Sequence, residues 1–483
     1  MVLYNNINNS DAVQQWNNLP NVVLIEIFTL LSDSDLLNTS STCINWRRIF
    51  YHPKLWSKQR LQLKLIDRTY NLSAYRYKMQ NFLLYSQLVE LRFDPTQILI
   101  LKEILQAFEI LACNRQLKSL ILRPITSSSC LNEKEQPTGP LCDKIFHLLK
   151  DVIECSPNLE ELSFGCWIEA LHSINDLMTI LNQSRHQTLK SLHLASIKNS
   201  ETHFTPDIYI SSEVFSPFRA LQTLSIDSTY LTENLLHCFG QSQRTPLNKL
   251  IVHVSEFRSD IVQINDSVWQ TVSTNLPNLR VTVHMINAYE TFRKYARILR
   301  PEMPLSHLRM YFCSSLNVDM LCYLSIHYRN TLECLDVMDS ITEPALRYHN
   351  PFRTEPDPLV LLAWQCKQLT ELSILGYEVL EVNLLAIAKL RPQLRTLNVC
   401  VDCVMTLQFG RLQNRHFFED DDGEDAFVDY GHIDNYIQTI ISESVGWQWR
   451  PLQKHELPIG VYEFCSPLEL SCLEQIHNSF SSS

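Results

Sequence analysis

A short leucine pattern recurs along most of this 483-residue chain and limits its possible folds more than any other feature. The unit reads Leu-x-x-Leu-x-apolar, and helical apolar spacing follows most copies. One unit cannot bury its apolar face alone, so neighbouring copies must stack into an array. The copies begin at Leu88, Leu117, Leu159, Leu189, Leu221, Leu247, Leu279, Leu305, Leu332, Leu369 and Leu394. The copy at Leu279 is weaker, because Thr282 stands at its second leucine position.

The spacing of the copies fits a leucine-rich-repeat array with insertions. Successive copies begin 25 to 42 residues apart, and five of the ten intervals lie within the roughly 20–29 residues of such repeats. A strand, a helix and a second strand in this rhythm imply right-handed crossovers between parallel strands. We therefore predict an α/β fold in which residues 86–410 form a solenoid with strands on its concave side and helices outside.

A dense apolar segment, residues 16–57, precedes the repeats and predicts three short helices. Ser32 and Asp35 have the capping spacing that begins the second helix, and the third carries Cys43 and Trp46. The first helix has an apolar face at positions i, i+3, i+4 and i+7, formed by Leu24, Ile27, Phe28 and Leu31. The segment is too short for a large core of its own, so part of its apolar surface should meet another element or another protein.

The remaining segments complete the predicted organisation. Residues 1–15 are polar and Asn-rich and predict a disordered tail, and residues 58–85 predict a helical linker. Residues 411–432 predict an acidic loop, and residues 433–483 predict a helical cap with a frayed tail. Two further segments, Arg123 to Pro140 and Ile341 to Pro358, are rich in turn-forming residues and should be surface loops.

Composition and charge exclude several classes of function. The formal net charge of −11 opposes binding to nucleic acid or to anionic lipid. The N-terminus lacks a signal-peptide pattern, and no window approaches the ~18 apolar residues of a membrane span. We therefore expect a soluble cytoplasmic or nuclear protein whose partners are proteins, with neither nucleic acid nor membrane among them.

The cysteines and the acidic run could each suggest a metal site. Cys400 and Cys403 form the one C-x-x-C of the chain, but no second close Cys/His pair accompanies them, so buried structural thiols are expected. The run from Glu419 to Asp425 could imitate a calcium loop, but Phe418 and Asp429 would then stand at ligand positions that they do not suit. A solvated acidic loop is the favoured interpretation, and we expect no metal and no cofactor.

Catalytic signatures are missing from the sequence. The chain has no G-x-S-x-G elbow, no phosphate-binding loop and no H-E-x-x-H motif, and its 9 glycines leave little material for such loops. A lone histidine on a repeat strand, such as His193, is more often a surface or core residue than a catalytic one. We therefore expect a chain that is not itself an enzyme.

The first segment resembles an F-box through Leu19-Pro20, Ile27-Phe28, Asp35-Leu36, Cys43 with Trp46, and Pro53-x-Leu55-Trp56. The resemblance implies binding to a Skp adaptor, and through it to a cullin-RING ubiquitin ligase. Val22 departs from the family, in which an acidic residue is common at this position. The implied adaptor contacts are Leu19, Pro20, Leu24, Ile27, Phe28, Leu31, Leu36, Leu37, Trp46, Leu55 and Trp56. The alternative is that this face packs only against the first repeat.

The repeat region is similar to F-box proteins with divergent leucine-rich repeats, including the cryptochrome-binding members and their F-box-only relatives. The similarity rests on the stretch from Trp269 through Tyr289, Phe292 and Tyr295 to Pro304-Leu305-x-x-Leu308, and on the tail sequence HIDNYIQTIISES. The cryptochrome-binding members end in a tail that bears a tryptophan, whereas more than 30 residues follow Trp449 here. Cryptochrome is therefore not the expected substrate.

The strand residues between the leucines should face the concave side and are the predicted recognition surface. Hot spots are a minority of any interface, so each of these residues could equally be a solvated strand residue. The predicted substrate-binding residues are Arg92, Lys190, His193, Lys249, Arg309, Glu333, Asp336, Glu371 and Arg395.

The sequence thus favours a substrate-receptor subunit of an SCF-type ubiquitin ligase, in which the first segment docks to the adaptor and the repeats hold a protein substrate. Two other functions remain open at this point. One is a binding scaffold without a ligase role, and the other is a hydrolase on a repeat framework.

Overall fold

The computed structural model describes most of the chain, with gaps. The described residues are 16, 19–62, 65–66, 69–70, 72–125, 139–164, 166–167, 174–195, 212–241, 244–255, 263–286, 288, 295–313, 316, 318–340, 357–409, 426–431, 433–457, 476 and 478–480. The predicted N-terminal tail, most of the two predicted surface loops and the acidic run lie outside these residues.

Three short helices form the N-terminal module, as the sequence predicts. They are α1 (Asn21–Phe28), α2 (Asp33–Ser40) and α3 (Ile44–Phe50). The predicted capping of α2 is confirmed, because the Ser32 hydroxyl accepts a hydrogen bond from the Asp35 amide at 3.2 Å. The Cys43 thiol accepts one from the Trp46 amide at 3.4 Å and begins α3 in the same way. Pro20 stands immediately before α1 rather than inside its first turn.

The main sheet begins directly after this module. A 3-10 turn at Pro53–Trp56 leads into strand β1 (Lys58–Gln62), which pairs in parallel with β4 (Leu88–Phe93). Between them lie the short pair β2 (Leu65–Ile66) and β3 (Thr69–Tyr70) and the helix α4 (Leu72–Phe82). The segment 58–85 is therefore only partly helical. Its strand escapes sequence analysis because KQRLQ contains one leucine and no repeat pattern.

Each repeat adds one parallel strand to the same sheet. Within the described residues this sheet has twelve strands, and every strand pairs in parallel with that of the neighbouring repeat. After β1 and β4 they are β5 (Ser119–Pro124), β6 (Glu161–Ser163), β7 (Ser191–His193), β8 (Thr223–Asp227), β9 (Lys249–Ser255), β10 (Arg280–Ile286), β11 (Leu305–Tyr311), β12 (Cys334–Met338), β13 (Glu371–Leu375) and, after the short β14 (Val379–Leu380), β15 (Thr396–Val399). All eleven predicted strands are present, which confirms the solenoid. A small separate sheet joins β14, β16 (Val404–Phe409) and β17 (Ala426–Tyr430), so the last five residues before Gly431 form a strand within the predicted acidic loop.

The helices between the strands cover one face of the sheet. They are α5 (Ile98–Leu111), α6 (Gly139–Cys155), α7 (Ile174–Ser184), α8 (Glu233–Phe239), α9 (Asp266–Asn275), α10 (Tyr295–Ile298), α11 (Val318–His327), α12 (Pro358–Gln365), α13 (Glu381–Leu390) and α14 (Asn435–Val445). Their apolar side chains form one continuous core with the inward leucines of the strands. The opposite face of the strands is called the concave face below.

The predicted register is wrong for two copies. Leu120 pairs with Val89 rather than with Leu91, so the first unit begins two residues earlier than the predicted Leu88. In β10, Val281 takes the inward position, and Thr282 lies on the concave face. In β4, Leu88 is an apolar residue on the concave face that imitates the first leucine of a unit. Just before β10, Leu279 also imitates a first leucine, although the alternation of Val281, Val283 and Met285 with Thr282 and His284 indicates the observed register.

Aromatic contacts join the N-terminal module firmly to the solenoid. The ring of Phe82, at the end of α4, stacks on Trp56 with 3.9 Å between ring centroids. Phe50 meets the Phe82 ring edge-on with 5.8 Å between centroids, and the hydroxyls of Tyr51 and Tyr77 lie 2.8 Å apart. The module is thus packed against α4 as well as joined to β1.

Two tryptophans close the far end of the array. The Trp449 side chain is buried, and its indole Nε1 donates to the Leu397 carbonyl at 2.7 Å. The Trp447 Nε1 donates to the Leu394 carbonyl at 3.0 Å. Backbone carbonyls around β15 are thus satisfied by the segment that follows α14, and both tryptophans act as part of the cap.

One glycine is required by close packing between repeats. Gly376 follows β13 with φ +88°, and a Cβ at this position would lie 2.2 Å from the Asp339 carbonyl oxygen. The neighbouring Tyr377 hydroxyl donates to the Asp339 carboxylate at 2.9 Å, which holds the two repeats together at this point. Gly446 has a similar φ of +77°, but nothing lies within 4 Å of its would-be Cβ.

These two glycines give a matched test of the packing. We expect Gly446→Ala to lower the free energy of unfolding by about 1–2 kcal/mol, because the only added cost is that of an alanine backbone held in the left-handed region. Gly376→Ala should lower it by about 3 kcal/mol or more, because overpacking against the Asp339 carbonyl is added to the same strain. Urea unfolding of both variants measures the difference, and equal losses would show that the Asp339 backbone moves aside freely.

Candidate docking surfaces

The helical face predicted to meet an adaptor is largely the core of the N-terminal module itself. The side chains of Leu24, Phe28, Leu36 and Trp56 are each less than 5% exposed and pack together with Phe82 of α4. The spacing i, i+3, i+4, i+7 identifies an apolar helix face, but the two other helices of the module already cover it. These four residues therefore stand behind the surface rather than on it.

The other predicted adaptor contacts lie nearer the surface. Pro20 and Leu37 are exposed, whereas five residues at the edge of the module are half-buried. Those five are Leu19, Ile27, Leu31, Trp46 and Leu55. The Trp46 ring meets Phe28 edge-on at 5.5 Å, so it supports the core from outside.

The module also exposes apolar side chains that the helical spacing does not select. In the described chain, 15 large apolar side chains are exposed, and seven of them lie in residues 16–51. The seven are Trp16, Val22, Val23, Leu30, Leu37, Ile44 and Tyr51. The signal for them was present in α1, whose sequence NVVLIEIF is apolar on nearly every side, as is typical of a helix covered on more than one face.

A buried carboxylate gathers three arginines near the start of the concave face. Glu90 is buried, and its carboxylate lies 2.7 Å from Arg92 Nε, 3.1 Å from Arg123 Nε and 3.3 Å from Arg60 Nε. The predicted recognition residue Arg92 is thus engaged with the protein's own carboxylate. A buried charge needs such partners, so this cluster has a structural role whatever else it contacts.

Buried histidines occupy the middle of the concave face. The Nε2 atom of His253 lies 3.1 Å from Nδ1 of His284, and both rings are buried, as is that of His193. Burial, and next the neighbouring His253, hold the pKa of His284 well below its usual value. Burial also lowers the pKa of His307 to about 4, with Arg309 as the next cause. Because their pKa values are lowered, His284 and His307 are neutral at physiological pH and present aromatic rather than cationic surface.

Lys249 lies beside these rings and has an unusual environment. Burial lowers the pKa of its ammonium group to about 8, and the nearby Arg309 and Arg280 lower it further. The group still carries its proton for most of the time at neutral pH. Lys249 is therefore a partly buried cationic hydrogen-bond donor. It lies on the concave face, as predicted from its place in the repeat.

The other predicted recognition residues are divided between internal ion pairs and open surface. Glu333 pairs with Arg280 at 2.9 Å, and Lys190 pairs with Glu160 at 2.8 Å. The Asp336 carboxylate accepts a hydrogen bond from the Tyr311 hydroxyl at 2.7 Å, and burial raises its pKa. Arg309 lies beside Asp336 across the two strands, Glu371 is half-buried, and Arg395 is exposed.

A second apolar cluster lies on the concave face, where only polar recognition residues were predicted. Ile251, Ile286, Tyr311, Met338 and Leu375 stand on successive strands and are buried there. Parallel strands buried on both faces read as nearly continuous apolar runs, and the stretch Leu250-Ile251-Val252 of β9 is a run of this kind. This signal in the sequence could have predicted that something covers the concave face.

Among the described residues, those near position 480 cover part of this second apolar cluster. We call residues 476 and 478–480 the C-terminal segment. Ile476 and Phe480 belong to the second apolar cluster, and both side chains are buried. The Phe480 ring stacks on His193 at 4.5 Å and on His253 at 5.9 Å, and the Lys249 ammonium donates to the Ser479 carbonyl at 2.5 Å. The prediction of a frayed tail is therefore wrong for these residues.

The C-x-x-C pair and the described helices give two further findings. Cys400 and Cys403 are both buried, and a hydrogen bond between the two thiols raises the pKa of Cys403. Among the residues that the structure describes, no three His, Cys, Asp or Glu side chains are grouped as metal ligands.

No helix in that part of the chain has the length and apolar character needed to span a membrane.

Comparison with known proteins assigns the N-terminal module. A protein-family model described as F-box-like matches residues 16–62. F-box only protein 33 of Homo sapiens is 23% identical over 487 residues, covering 91% of this chain and 83% of that protein. F-box/LRR-repeat protein 21 of Mus musculus is 22% identical over 446 residues, covering 90% of this chain and 89% of that protein.

Among solved structures, the leucine-rich-repeat protein LegL7 of Legionella pneumophila matches with a TM-score of 0.35 and 13% identity. The match covers 80% of this chain and 98% of that protein. The solenoid assignment rests instead on the parallel ladder of twelve strands and on the inward leucines that repeat along it. The chain thus carries an F-box-like module, called the F-box below, followed by a leucine-rich-repeat fold, and it is similar along most of its length to proteins named for these parts.

Proposed function

We propose that this protein is the substrate-recognition subunit of an SCF-type cullin-RING ubiquitin ligase. Its F-box docks to the Skp adaptor, and its solenoid holds a protein substrate. The observation that carries the proposal is the concentration of exposed apolar side chains in the F-box, since seven of the 15 in the described chain lie in residues 16–51. Such a concentration on a small module is typical of a docking surface.

The structure changes which residues we propose as direct adaptor contacts. Val22, Leu30, Leu37 and Ile44 are exposed, and each would gain about 1.5–3 kcal/mol on full burial by a partner. The half-buried and exposed residues of the predicted set, such as Pro20 and Ile27, stay in the proposal. Leu24, Phe28, Leu36 and Trp56 support this surface from inside.

The proposed role in ubiquitin transfer needs no catalytic residue in this chain. Holding a substrate lysine near a charged conjugating enzyme raises its effective concentration, and this accelerates the reaction through proximity alone. The F-box is attached without a free linker, because β1 begins two residues after Trp56. The solenoid can therefore present a substrate in a fixed position relative to the adaptor. The name of one relative, F-box/LRR-repeat protein 21, combines the same two parts and is consistent with the proposal.

Substitution of Leu30 tests the docking surface. Leu30 is 85% exposed, so Leu30→Asp should leave the fold intact while placing a charge in the adaptor interface. We expect at least a tenfold loss of affinity for the purified Skp adaptor, equal to about 1.4 kcal/mol or more. The matched control is Ile326→Asp on α11, where the side chain is 59% exposed far along the chain from the F-box. Unchanged adaptor affinity in the Leu30 variant would contradict the assignment.

Substitution of Phe28 tests whether this residue stabilises the core of the F-box or contacts the adaptor directly. Phe28→Ala should destabilise the F-box by about 3–5 kcal/mol, as for other buried aromatic residues, and weaken adaptor binding through the loss of folded module. Leu30→Asp should weaken binding with an unchanged unfolding midpoint. Thermal unfolding and adaptor titration of the two variants measure this difference. Equal unfolding midpoints with equal losses of binding would instead place Phe28 in the interface.

Ubiquitin transfer distinguishes a ligase subunit from a binding scaffold. With the proteasome blocked, proteins captured by the unchanged chain should carry ubiquitin chains that are absent from proteins captured by the Leu30→Asp variant. The Ile326→Asp variant should behave as the unchanged chain does. Capture of the same proteins without ubiquitin by all three chains would favour the scaffold.

A further inference from the structure

The contacts of Phe480 describe a subsite for an aromatic ring. The ring stacks on two buried imidazoles, with 4.5 Å to the His193 centroid at an interplanar angle of 26° and 5.9 Å to the His253 centroid at 18°. Near-parallel stacking between aromatic rings contributes beyond the burial of area alone. The two histidines come from β7 and β9, and on the strand between them the buried Ser225 pairs with His193. A smaller side chain at position 480 could not meet both rings.

A backbone contact accompanies the ring. The Lys249 ammonium donates to the carbonyl of Ser479, the residue before Phe480, at 2.5 Å. Such a bond to a main-chain carbonyl is available to any peptide, whatever its side chains. A charged donor makes a stronger hydrogen bond than a neutral one, and partial burial of Lys249 limits competition from water. The ring gives the subsite its selectivity, and the lysine holds the backbone.

An apolar surface extends the subsite along the strands. Ile251 and Ile286 belong to the same buried cluster as Ile476, four residues before Phe480. The C-terminal segment therefore places two apolar side chains, spaced i and i+4, on one apolar surface. This is the spacing of one helical turn, and residues 478–480 are helical.

We propose that the concave face at β7 and β9 is a binding site for a peptide with an aromatic side chain, and that the C-terminal segment fills this site in cis. The proposal deepens the receptor function proposed above and rests on it. A substrate segment with a phenylalanine-like residue displaces the C-terminal segment and takes over its contacts with His193, His253 and Lys249.

The size of the contact makes displacement feasible. Three buried side chains, of Ile476, Ser479 and Phe480, hold the C-terminal segment, and the entropy lost in ordering the backbone opposes this gain. The segment and the site belong to one chain, so the local concentration of the segment at the site is high. A substrate must therefore compete with a weak ligand that is always nearby.

Direct binding of a peptide tests the proposal. The probe is a fluorescently labelled peptide with the sequence of residues 471–483, and the receptor is the purified chain without those residues. We expect saturable binding to this shortened chain and at least tenfold weaker binding to the full-length chain, in which the site is filled. Phe480→Ala in the full-length chain should restore binding of the peptide without removing any part of the protein.

Matched variants test the aromatic subsite. A peptide with Phe480→Ala should bind at least tenfold more weakly, and one with Phe480→Trp should bind within threefold of the original. In the shortened chain, His193→Ala should weaken binding at least fivefold, whereas His237→Ala, an exposed histidine of α8, should leave it unchanged.

Three results would overturn the proposal: no binding to the shortened chain, equal binding of the alanine peptide, or loss of cooperative unfolding in the shortened chain. The last would show that the segment is part of the solenoid core. The assay does not involve the adaptor, so its outcome is separate from the Leu30→Asp test of the proposed function.

Discussion

The continuity of the chain between the F-box and β1 is the constraint on which the rest of the structure depends. The Ser57 carbonyl accepts hydrogen bonds from the amides of Gln87 and Leu88, at 2.7 and 2.9 Å, and the parallel ladder begins at the next residue. The F-box-like match, residues 16–62, runs to the end of this strand. The F-box therefore forms the first layer of the solenoid. The register of each later strand follows from the one before it.

The same ladder gives the sheet two buried faces in its second half. On one face the helices pack over inward leucines, and on the other Ile251, Ile286 and Met338 form a second apolar cluster. Residues beyond the repeats cover this cluster, including Leu457 and the C-terminal segment. On β9 to β13 this face carries the apolar cluster beside polar side chains such as Lys249, His284 and Asp336, so part of it is apolar surface that needs covering.

Sequence patterns predicted the repeat strands well because the inward leucines follow one strong rule. They failed where a pattern has two physical explanations. At β10 the leucine pattern from Leu279 and the alternation of Val281, Val283 and Met285 indicate different registers, and the leucine pattern placed Thr282 on the wrong face. The apolar face of α1 was found, but spacing does not show whether Leu24 and Phe28 meet a partner or the helices of their own module.

The C-terminal segment and the aromatic subsite could not be predicted because they depend on contacts over more than 200 positions. Nothing near Phe480 in the sequence indicates His193 or Lys249, and the bond to Lys249 joins residues 230 positions apart. The local sequence of the segment is short and mostly polar, which favoured a frayed tail. The indication that something binds there lay instead in the strands, as an excess of apolar residues.

The contacts of Phe480 also have a mechanical consequence. In a repeat array each unit touches only its neighbours, so small rotations between units can accumulate into bending of the whole array. Phe480 contacts His193 of β7 and His253 of β9, two strands that have β8 between them. The segment thus spans three units and limits how far their shared curvature can change. Exchange of this segment for another ligand would alter the stiffness of the solenoid at its middle.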